Sequence, residues 1–182
     1  MTKIYHIDRA CLLHAGDTLI LQNGFYVNSP ERQKCLDMVE TFHKDGLSSH
    51  GISYFLNGRI DGRFMDLSNV MEIVLEYERL LHYENKLSRY KSFFAFDRDG
   101  VIEFIKMNNL DLNVIKIYEV ESDYCEKHNM NLIKGETHYN IAALTKCYWE
   151  DLADPFNKPV LNEYLLKFPV KIIKEVKLSE LE

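Results

Sequence analysis

Short runs rich in hydrophobic and β-branched residues recur along this chain, the first of them with alternating polar positions, a pattern typical of β-strands. The runs lie at 3–7, 18–21, 90–96, 113–121, 163–166 and 170–176. A turn signal, Asn23-Gly24, follows the second run, and Pro169 separates the last two. The pattern therefore predicts strands distributed over the whole length of the chain.

Other segments carry their hydrophobic residues at the spacing of an α-helix. The predicted helices run from 29 to 45, from 66 or 68 to about 83, from 98 to about 107, and from 137 to 152. Ser29 and Pro30 favour the first start, because Ser caps free amides and Pro is tolerated at the first helical position. Gly46 supplies the end of that helix, and Asp97 is suited to cap the third.

The apolar positions also predict which helix faces are buried. In the first helix the apolar stripe consists of Cys35, Met38, Val39 and Phe42. In the second helix it consists of Val70, Met71, Val74, Tyr77 and Leu81, with Glu72, Glu76, Glu78 and Arg79 elsewhere. The charged residues of the second helix therefore lie off its predicted apolar stripe.

The segment 47–62 contains three glycines among mixed polar residues and predicts a long loop, with one short strand around 53–55. Loops of this length often carry function, so Ser48-Ser49-His50-Gly51 is a candidate substrate loop. Ordinary surface-turn chemistry explains the same four residues equally well.

Together these elements predict one α+β domain over residues 1–182. The composition, 46% hydrophobic and 27% charged, is that of a soluble globular protein, and no apolar run approaches the roughly 18 residues of a membrane span. The formal net charge of −6 gives no general attraction to nucleic acid or to an anionic membrane. We expect a cytoplasmic protein without a membrane anchor, and the sequence leaves its oligomeric state open.

Several functional classes lose their main sequence support, because their motifs are absent. The phosphate-binding loop, the dinucleotide-binding glycine motif, the hydrolase nucleophile elbow and the zinc-protease helix motif do not occur in the sequence. Cys11, Cys35, Cys125 and Cys147 form no C-x-x-C pair, and the seven histidines are scattered. We therefore expect four reduced, unpaired core cysteines and no metal site.

Three separated strands, read together, are similar to those of a known superfamily. They contain Ile4-Tyr5-His6-Ile7, Ser92-Phe93-Phe94-Ala95 and Asn162-Glu163-Tyr164-Leu165. Their order resembles the ADP-ribosyltransferases, in particular the poly-ADP-ribose-polymerase and diphtheria-toxin-like branch. The chain also resembles an uncharacterised bacterial family at the edge of this superfamily, which carries a Tyr-His first strand and a Ser-Arg-x-x-Ser-x-Phe segment, here Ser88 to Phe94.

The resemblance implies a split, mostly antiparallel sheet flanked by helices, and a reaction in which NAD is the substrate. It implies that His6 holds a ribose, that Arg9 or Arg89 holds a phosphate, and that the Tyr90 to Phe96 strand, with Ser92 and Phe94, supplies the nicotinamide wall. Glu163 would stabilise the positive charge that develops on the ribose. The acceptor, whether protein, nucleic acid, small molecule or water, is not specified.

The sequence also departs from the family pattern. Ile7 follows His6 where the poly-ADP-ribose branch has Gly, and Phe93 or Phe94 stands where that branch has Tyr. Leu161 replaces the first of the two acids found in the arginine-specific toxins, which disfavours transfer to arginine side chains. The identity of the nicotinamide-stacking aromatic therefore stays open.

Two other hypotheses remain. One is a catalytically inactive binding protein that keeps the fold, with His6 as a structural residue, Glu163 as a solvated acid and the middle strand as ordinary core. The other is an enzyme that modifies RNA ends, which would need a basic cluster at its cleft. The candidates for that cluster are Lys86, Arg89, Lys91 and Arg98.

Overall fold

The computed structural model describes residues 3–26, 28–56, 67–133, 140–155 and 157–181. Within them the strands are β1 (Ile4–Asp8), β2 (Thr18–Leu19), β3 (Ser92–Ala95), β4 (Lys116–Glu121), β5 (Cys125–Asn129), β6 (Asn162–Lys167) and β7 (Val170–Val176). The helices are α1 (Pro30–Phe42), α2 (Ser49–Leu56), α3 (Leu67–His82), α4 (Arg98–Met107) and α5 (Ile141–Glu150). The predicted α+β class is confirmed.

The strands form two antiparallel sheets, one in the order β1-β4-β7-β2 and one in the order β3-β6-β5. Within the described residues one bridge joins the two sheets, in which Tyr5 and Phe96 exchange two backbone hydrogen bonds of 2.7 Å. Because β3 pairs with β6 and lies next to β1, the first strand and the Glu163 strand are separated by one strand only.

Several local predictions are confirmed. Helix α1 begins at Pro30, and the Asp97 side chain caps α4 by accepting a 2.8 Å hydrogen bond from the Gly100 amide. Helix α3 also lies within its predicted range. Helix α5 lies within the predicted range 137–152, of which 137–139 fall outside the described residues. Caps and turns were predictable because their hydrogen bonds join residues close in sequence.

The prediction of a loop with a short strand at 47–62 is wrong where the structure describes it, because Ser49–Leu56 is helical. The Ser48 hydroxyl accepts a 3.0 Å hydrogen bond from the Gly51 amide and so caps this helix. Gly51 is needed because a Cβ here would lie 2.3 Å from the Tyr90 carbonyl oxygen. The glycine serves close packing of α2 against the segment before β3, and residues 57–62 lie outside the described part.

Strand β5 has no counterpart among the predicted elements. Its buried positions include Glu126 and His128, whereas Cys125 and Lys127 are exposed. A polar inward face hides the alternation by which strands are found in a sequence. The strand forms because it pairs with β6 over five residue pairs, from Cys125 opposite Leu166 to Asn129 opposite Asn162.

Both predicted apolar stripes are partly wrong. In α1, Met38 and Phe42 are exposed and Leu36 is buried instead. In α3, Tyr77 and Leu81 are exposed, whereas Met71 and Leu75 are buried. The buried side of α3 also carries three charged residues, Glu72, Glu76 and Arg79. Buried charges are tolerated when they are paired and hydrogen-bonded, and the partners of these three residues are described below.

The cysteines differ from the prediction in their burial. Cys11, Cys125 and Cys147 are free thiols, but the first two are exposed and are not core residues. The Cys35 side chain lies outside the described part of the chain. Among the described helices, none has the length and apolar character that crossing a bilayer requires.

Candidate functional site

Arg89 is the centre of a buried polar cluster between the second sheet and the helices α3 and α5. It lies in a short 3-10 turn, Arg89–Lys91, immediately before β3, and only 4% of its surface is exposed. The guanidinium donates to both carboxylate oxygens of Glu72 on α3, at 2.8 Å from Nε and 2.7 Å from Nη2. This two-point contact fixes the plane of the guanidinium.

The other edge of the guanidinium contacts β6 and α5. Arg89 Nη1 donates to Glu163 Oε1 and also to the Tyr148 hydroxyl, at 2.6 Å in the second case. The Tyr148 hydroxyl in turn donates to Glu163 Oε1 at 2.8 Å. Glu163, Tyr148 and Glu72 are buried, so four side chains from three helices or strands and one turn meet away from water. We call Glu72, Arg89, Tyr148 and Glu163 the Arg89 centre.

Both hydrogen bonds to Glu163 end on the same oxygen, Oε1. Among the described residues, no donor reaches Oε2. A carboxylate oxygen has room for more than one hydrogen bond, and the free oxygen of a held carboxylate has a fixed direction. Oε2 is therefore the Glu163 oxygen that has no donor among the described residues.

The electrostatics of the centre follow from burial and pairing. Burial alone would raise the pKa of Glu72, but the Arg89 guanidinium and the nearby His50 ring outweigh it and lower this pKa to about 2. Burial opposes the charge on Arg89, yet Glu163 and Glu72 hold the pKa of Arg89 well above its ordinary value. Burial raises the pKa of Tyr148, which stays a hydrogen-bond donor. Two carboxylates facing one guanidinium leave one excess negative charge.

Aromatic side chains cover the guanidinium. Its central carbon lies 4.7 Å from the centre of the Phe94 ring and 5.3 Å from that of Tyr148. The His50 ring packs on Phe94 with 4.0 Å between centroids, and Tyr54 packs on His50 at 4.6 Å. His50, Tyr54 and Phe94 are only partly buried, so they form the most accessible edge of the centre.

The His50 ring at this edge carries a polar atom without a partner. Its Nε2 lies 3.7 Å from Glu72 Oε1, which is too long for a hydrogen bond, and this buried atom has no hydrogen-bond partner among the described residues. The side chain as a whole is 29% exposed. An unpartnered ring nitrogen beside a carboxylate can donate to a ligand oxygen without first breaking a contact.

Three of the residues that the resemblance singled out, Arg89, Glu163 and Phe94, come together in this centre. Glu163 is 2% exposed and ion-paired, so the alternative reading of a solvated acid is wrong. Arg89 is held between two carboxylates and is not a free phosphate ligand. The prediction that Arg89 binds a phosphate is therefore not supported by its surroundings.

His6 lies elsewhere. Its Nδ1 is 2.7 Å from the Phe94 carbonyl oxygen and its ring packs on Phe93 at 4.3 Å. Because neighbouring residues of a strand point to opposite faces, Phe93 and Phe94 separate His6 from the Arg89 centre. Burial lowers the pKa of His6, and the neutral ring can donate to the Phe94 carbonyl.

Ser92 and Arg9 also lie outside the centre. Ser92 is fully buried, and its hydroxyl donates at 2.7 Å to the Ser88 carbonyl, which gives it a structural partner. Arg9 is exposed just after β1, and the described part of the chain contains no ion pair for it. Of the proposed basic cluster, Arg89 is buried and Arg98 donates to the Leu181 carbonyl, whereas Lys86 and Lys91 share a groove.

No sequence motif indicates Glu72 or Tyr148, whereas His50 belongs to the candidate substrate loop Ser48-Ser49-His50-Gly51. Glu72 lies off the apolar stripe that the sequence predicts for its helix, so hydrophobic spacing gives no reason to bury it. Its spacing to Glu76 and Arg79, one and two turns away, did put three charges on one face. Nothing local pointed to Tyr148, because its partners are 59 and 15 residues away in sequence.

The described residues contain no group of three or more histidine, cysteine or acidic side chains placed to hold a metal ion. The centre is instead suited to a cation with an apolar surface, because it offers excess negative charge and aromatic faces. A hydroxyl donor would also find Glu163 Oε2 as an acceptor.

The chain was compared with known proteins. The comparison with curated proteins returns no match. A family model matches residues 4–178, and these residues include every member of the Arg89 centre. The chain therefore belongs to the family described as "Protein of unknown function (DUF2441)".

Proposed function

We propose that this protein consumes NAD, as an ADP-ribosyltransferase or an NAD glycohydrolase, with Glu163 as the carboxylate that stabilises the transition state. The observation that carries the proposal is the meeting of Glu163, Arg89 and Phe94 in one centre with excess negative charge. Phe94 and Glu163 come from two of the three strands on which the resemblance to ADP-ribosyltransferases rests, and Arg89 lies in the turn just before one of them. The antiparallel pairing of β3 with β6 supports the same relationship.

The reaction breaks the bond between ribose C1′ and the nicotinamide nitrogen. The bonding electrons leave with nicotinamide, which becomes neutral, so no strong general acid is required. The sugar becomes positively charged, and the acceptor oxygen or nitrogen then bonds to C1′ and loses its proton to solvent or to a base. A single negative group under the sugar lowers the barrier most when it is already in place.

The Arg89 centre supplies such a group. Arg89 and Tyr148 hold Glu163 through Oε1, which leaves Oε2 for a ribose hydroxyl or for the charge on the ring. The nicotinamide ring is itself a cation before the bond breaks, so the aromatic edge of His50, Tyr54 and Phe94 suits it. Arg89 and Tyr148 are positioning residues in this proposal, and Glu163 is the catalytic residue.

The test compares nicotinamide release from NAD by wild type, Glu163→Gln and Glu72→Gln. Each variant removes one of the two carboxylates that face Arg89, at a similarly buried position, so Glu72→Gln controls for damage to the ion pair. We expect Glu163→Gln to lower the rate on the order of 100-fold. Glu72→Gln should lower it much less when both variants have the same folded fraction and NAD occupancy.

Water, peptides, oligonucleotides and small alcohols serve in turn as acceptors in this assay. Equal rates for wild type and Glu163→Gln would remove Glu163 from the reaction. Equal losses in both variants would assign the pair of carboxylates to stability alone. Denaturant unfolding of each variant, followed in parallel, separates these two results.

A second candidate function is a catalytically inactive binding protein that retains the fold. The specific observation in its favour is that Glu163 is 2% exposed, with Arg89 and Tyr148 already on it. Burial of this kind suits a structural ion pair. Calorimetric binding of NAD without nicotinamide release by wild type, in the presence of every acceptor class, would favour this candidate over the enzyme.

A further inference from the structure

A groove of about 870 Å³ lies beside the segment that carries Arg89, and its lining does not include the Arg89 centre. Ser88 and Lys91 line it, whereas Arg89 between them in sequence points into the buried centre. The volume is that of a site for a small molecule. The groove is independent of the proposed reaction and has its own chemistry.

One wall of the groove is cationic. It contains Lys86 and Lys91 from the segment before β3, and Lys167 from the end of β6. Lys167 lies on this wall because it is the register partner of Ser92, the residue after Lys91. Lys91 has one ion pair, at 3.3 Å with the highly exposed Asp45, and within the described residues Lys86 and Lys167 have none.

The other wall is apolar and is formed by α1 and α3. Phe42 and Leu80 are 78% and 58% exposed there, and Val39 lies beside them in the lining. Leu87 and Phe168 extend the apolar surface under the lysines. Large exposed apolar residues that share a concave surface mark binding sites more often than isolated ones do.

The charge of the groove can be counted from its lining. Glu76 and Arg79 cancel, because Arg79 donates to both oxygens of Glu76, at 3.1 and 2.8 Å. Among the lining residues the three lysines are then opposed by Asp45, which leaves an excess of two positive charges in the lining of a chain whose net charge is −6; Glu126, which also attracts Lys86, lies outside the lining. A phosphate monoester carries about −1.5 to −2 at neutral pH, whereas a carboxylate carries only −1.

We propose that this groove binds a phosphate monoester with an apolar body, with the phosphate on the lysine wall and the body against α1 and α3. Lysine is a common phosphate ligand that acts as a point charge and does not need a fixed geometry. The two excess positive charges favour a doubly charged phosphate monoester over a singly charged carboxylate. The apolar wall favours a monoester with an apolar body over inorganic phosphate. We call this site the lysine groove.

The experiment is calorimetric titration of the full chain with decyl phosphate below its micelle concentration. Decyl maltoside, which keeps the chain without the charge, and inorganic phosphate, which keeps the charge without the chain, are the comparison probes. We expect decyl phosphate to bind at least about tenfold more tightly than either. Equal binding of decyl phosphate and decyl maltoside would overturn the proposal, because the lysines would then have no role.

Two variants and their controls locate the site. Lys91→Gln combined with Lys167→Gln should weaken decyl phosphate binding roughly tenfold, and Leu80→Ser should also weaken it. The controls are Lys106→Gln combined with Lys146→Gln, and Leu112→Ser, which are exposed residues outside the groove lining. Equal loss in groove variants and controls would overturn the assignment, as would tighter binding of oligothymidylate than of decyl phosphate.

Discussion

Arg89 and Lys91 are two residues apart, yet the Arg89 centre and the lysine groove use positive charge in opposite ways. Arg89 is 4% exposed and lies between two buried carboxylates, Glu72 and Glu163. The Lys91 side chain is 28% exposed and meets an Asp45 side chain that is 84% exposed. Arg89 is paired with two carboxylates, whereas Lys91 lies in a groove whose lining carries excess positive charge.

This difference separates the residues that stabilise the fold from those that can bind a ligand. Removing one member of a buried pair leaves an unpaired charge away from water and is costly, whereas a solvent-exposed pair is screened and contributes little. We therefore expect changes in the Arg89 centre to affect folding and changes in the lysine groove to affect ligand binding. The following predictions, from the largest effect to the smallest, test this division.

Replacing Arg89 by Ala should have the largest effect on folding. Glu72 and Glu163 would lose their common partner, and a broken buried pair costs about 3–5 kcal/mol of unfolding free energy. Urea unfolding measures the loss, and Lys91→Ala, two residues away, is the control with an expected change within about 0.5 kcal/mol. Similar losses in both variants would contradict the contrast between centre and groove.

Acid should weaken the centre in a defined pH range. The pKa of Glu72 is lowered from 4.5 to about 2 in the folded protein, so its contribution is complete above about pH 4.5 and is lost as the pH falls towards 2. The shift corresponds to roughly 3 kcal/mol. Unfolding free energies measured across this range should fall more steeply for wild type than for Glu72→Gln. If the two variants lost unfolding free energy in parallel, the loss of stability in acid would not come from Glu72.

Gly51→Ala should disturb the centre through its neighbour α2. The new methyl group would lie 2.3 Å from the Tyr90 carbonyl oxygen, so α2 or the segment before β3 must move. Overpacking of this kind costs typically about 1–3 kcal/mol. Thermal unfolding measures the cost, and Ser53→Ala on the same helix is a comparison without a new group. An unchanged melting temperature for Gly51→Ala would mean that α2 packs less closely than the structure indicates.

The lysines of the groove should contribute least to folding. Lys86→Gln and Lys167→Gln should each change the unfolding free energy by no more than about 0.5 kcal/mol, because neither lysine has an ion pair within the described residues. Unfolding at low and at high salt checks this. A larger loss, or one that grows at low salt, would assign these lysines to the structure and weaken the case for a ligand.

Helix α3 shows which structural features the sequence alone predicts and which it does not. Its length was predictable from helical spacing, and the structure confirms the helix. Its orientation was not, because Tyr77 and Leu81 suggested a buried stripe and are 61% and 55% exposed. Glu72 and Glu76 instead lie on the buried side of the helix. Glu72 forms an ion pair with Arg89, and Glu76 forms one with Arg79. A hydrophobic pattern cannot detect a buried face that is stabilised by ion pairs.

The residues of the candidate site were also only partly predictable from the sequence. Short motifs indicate Glu163, Arg89 and Phe94 as site residues, and the structure brings these three together, while His6, Arg9 and Ser92 lie elsewhere. The partners of the first group, Glu72 and Tyr148, were missed. They are 17 and 59 residues from Arg89 in sequence, so no local signal joins them.

The sequence by itself determined the α+β class, the start of α1, the cap of α4 and the strands that carry the resemblance, because these depend on neighbours a few residues apart. Only the tertiary structure decided that α2 is a helix, that β5 exists with a polar inward face, and that Arg89 is saturated while Lys91 is not. These features depend on close packing, strand pairing and ion pairs between distant segments, whose energies exist only once the chain has folded.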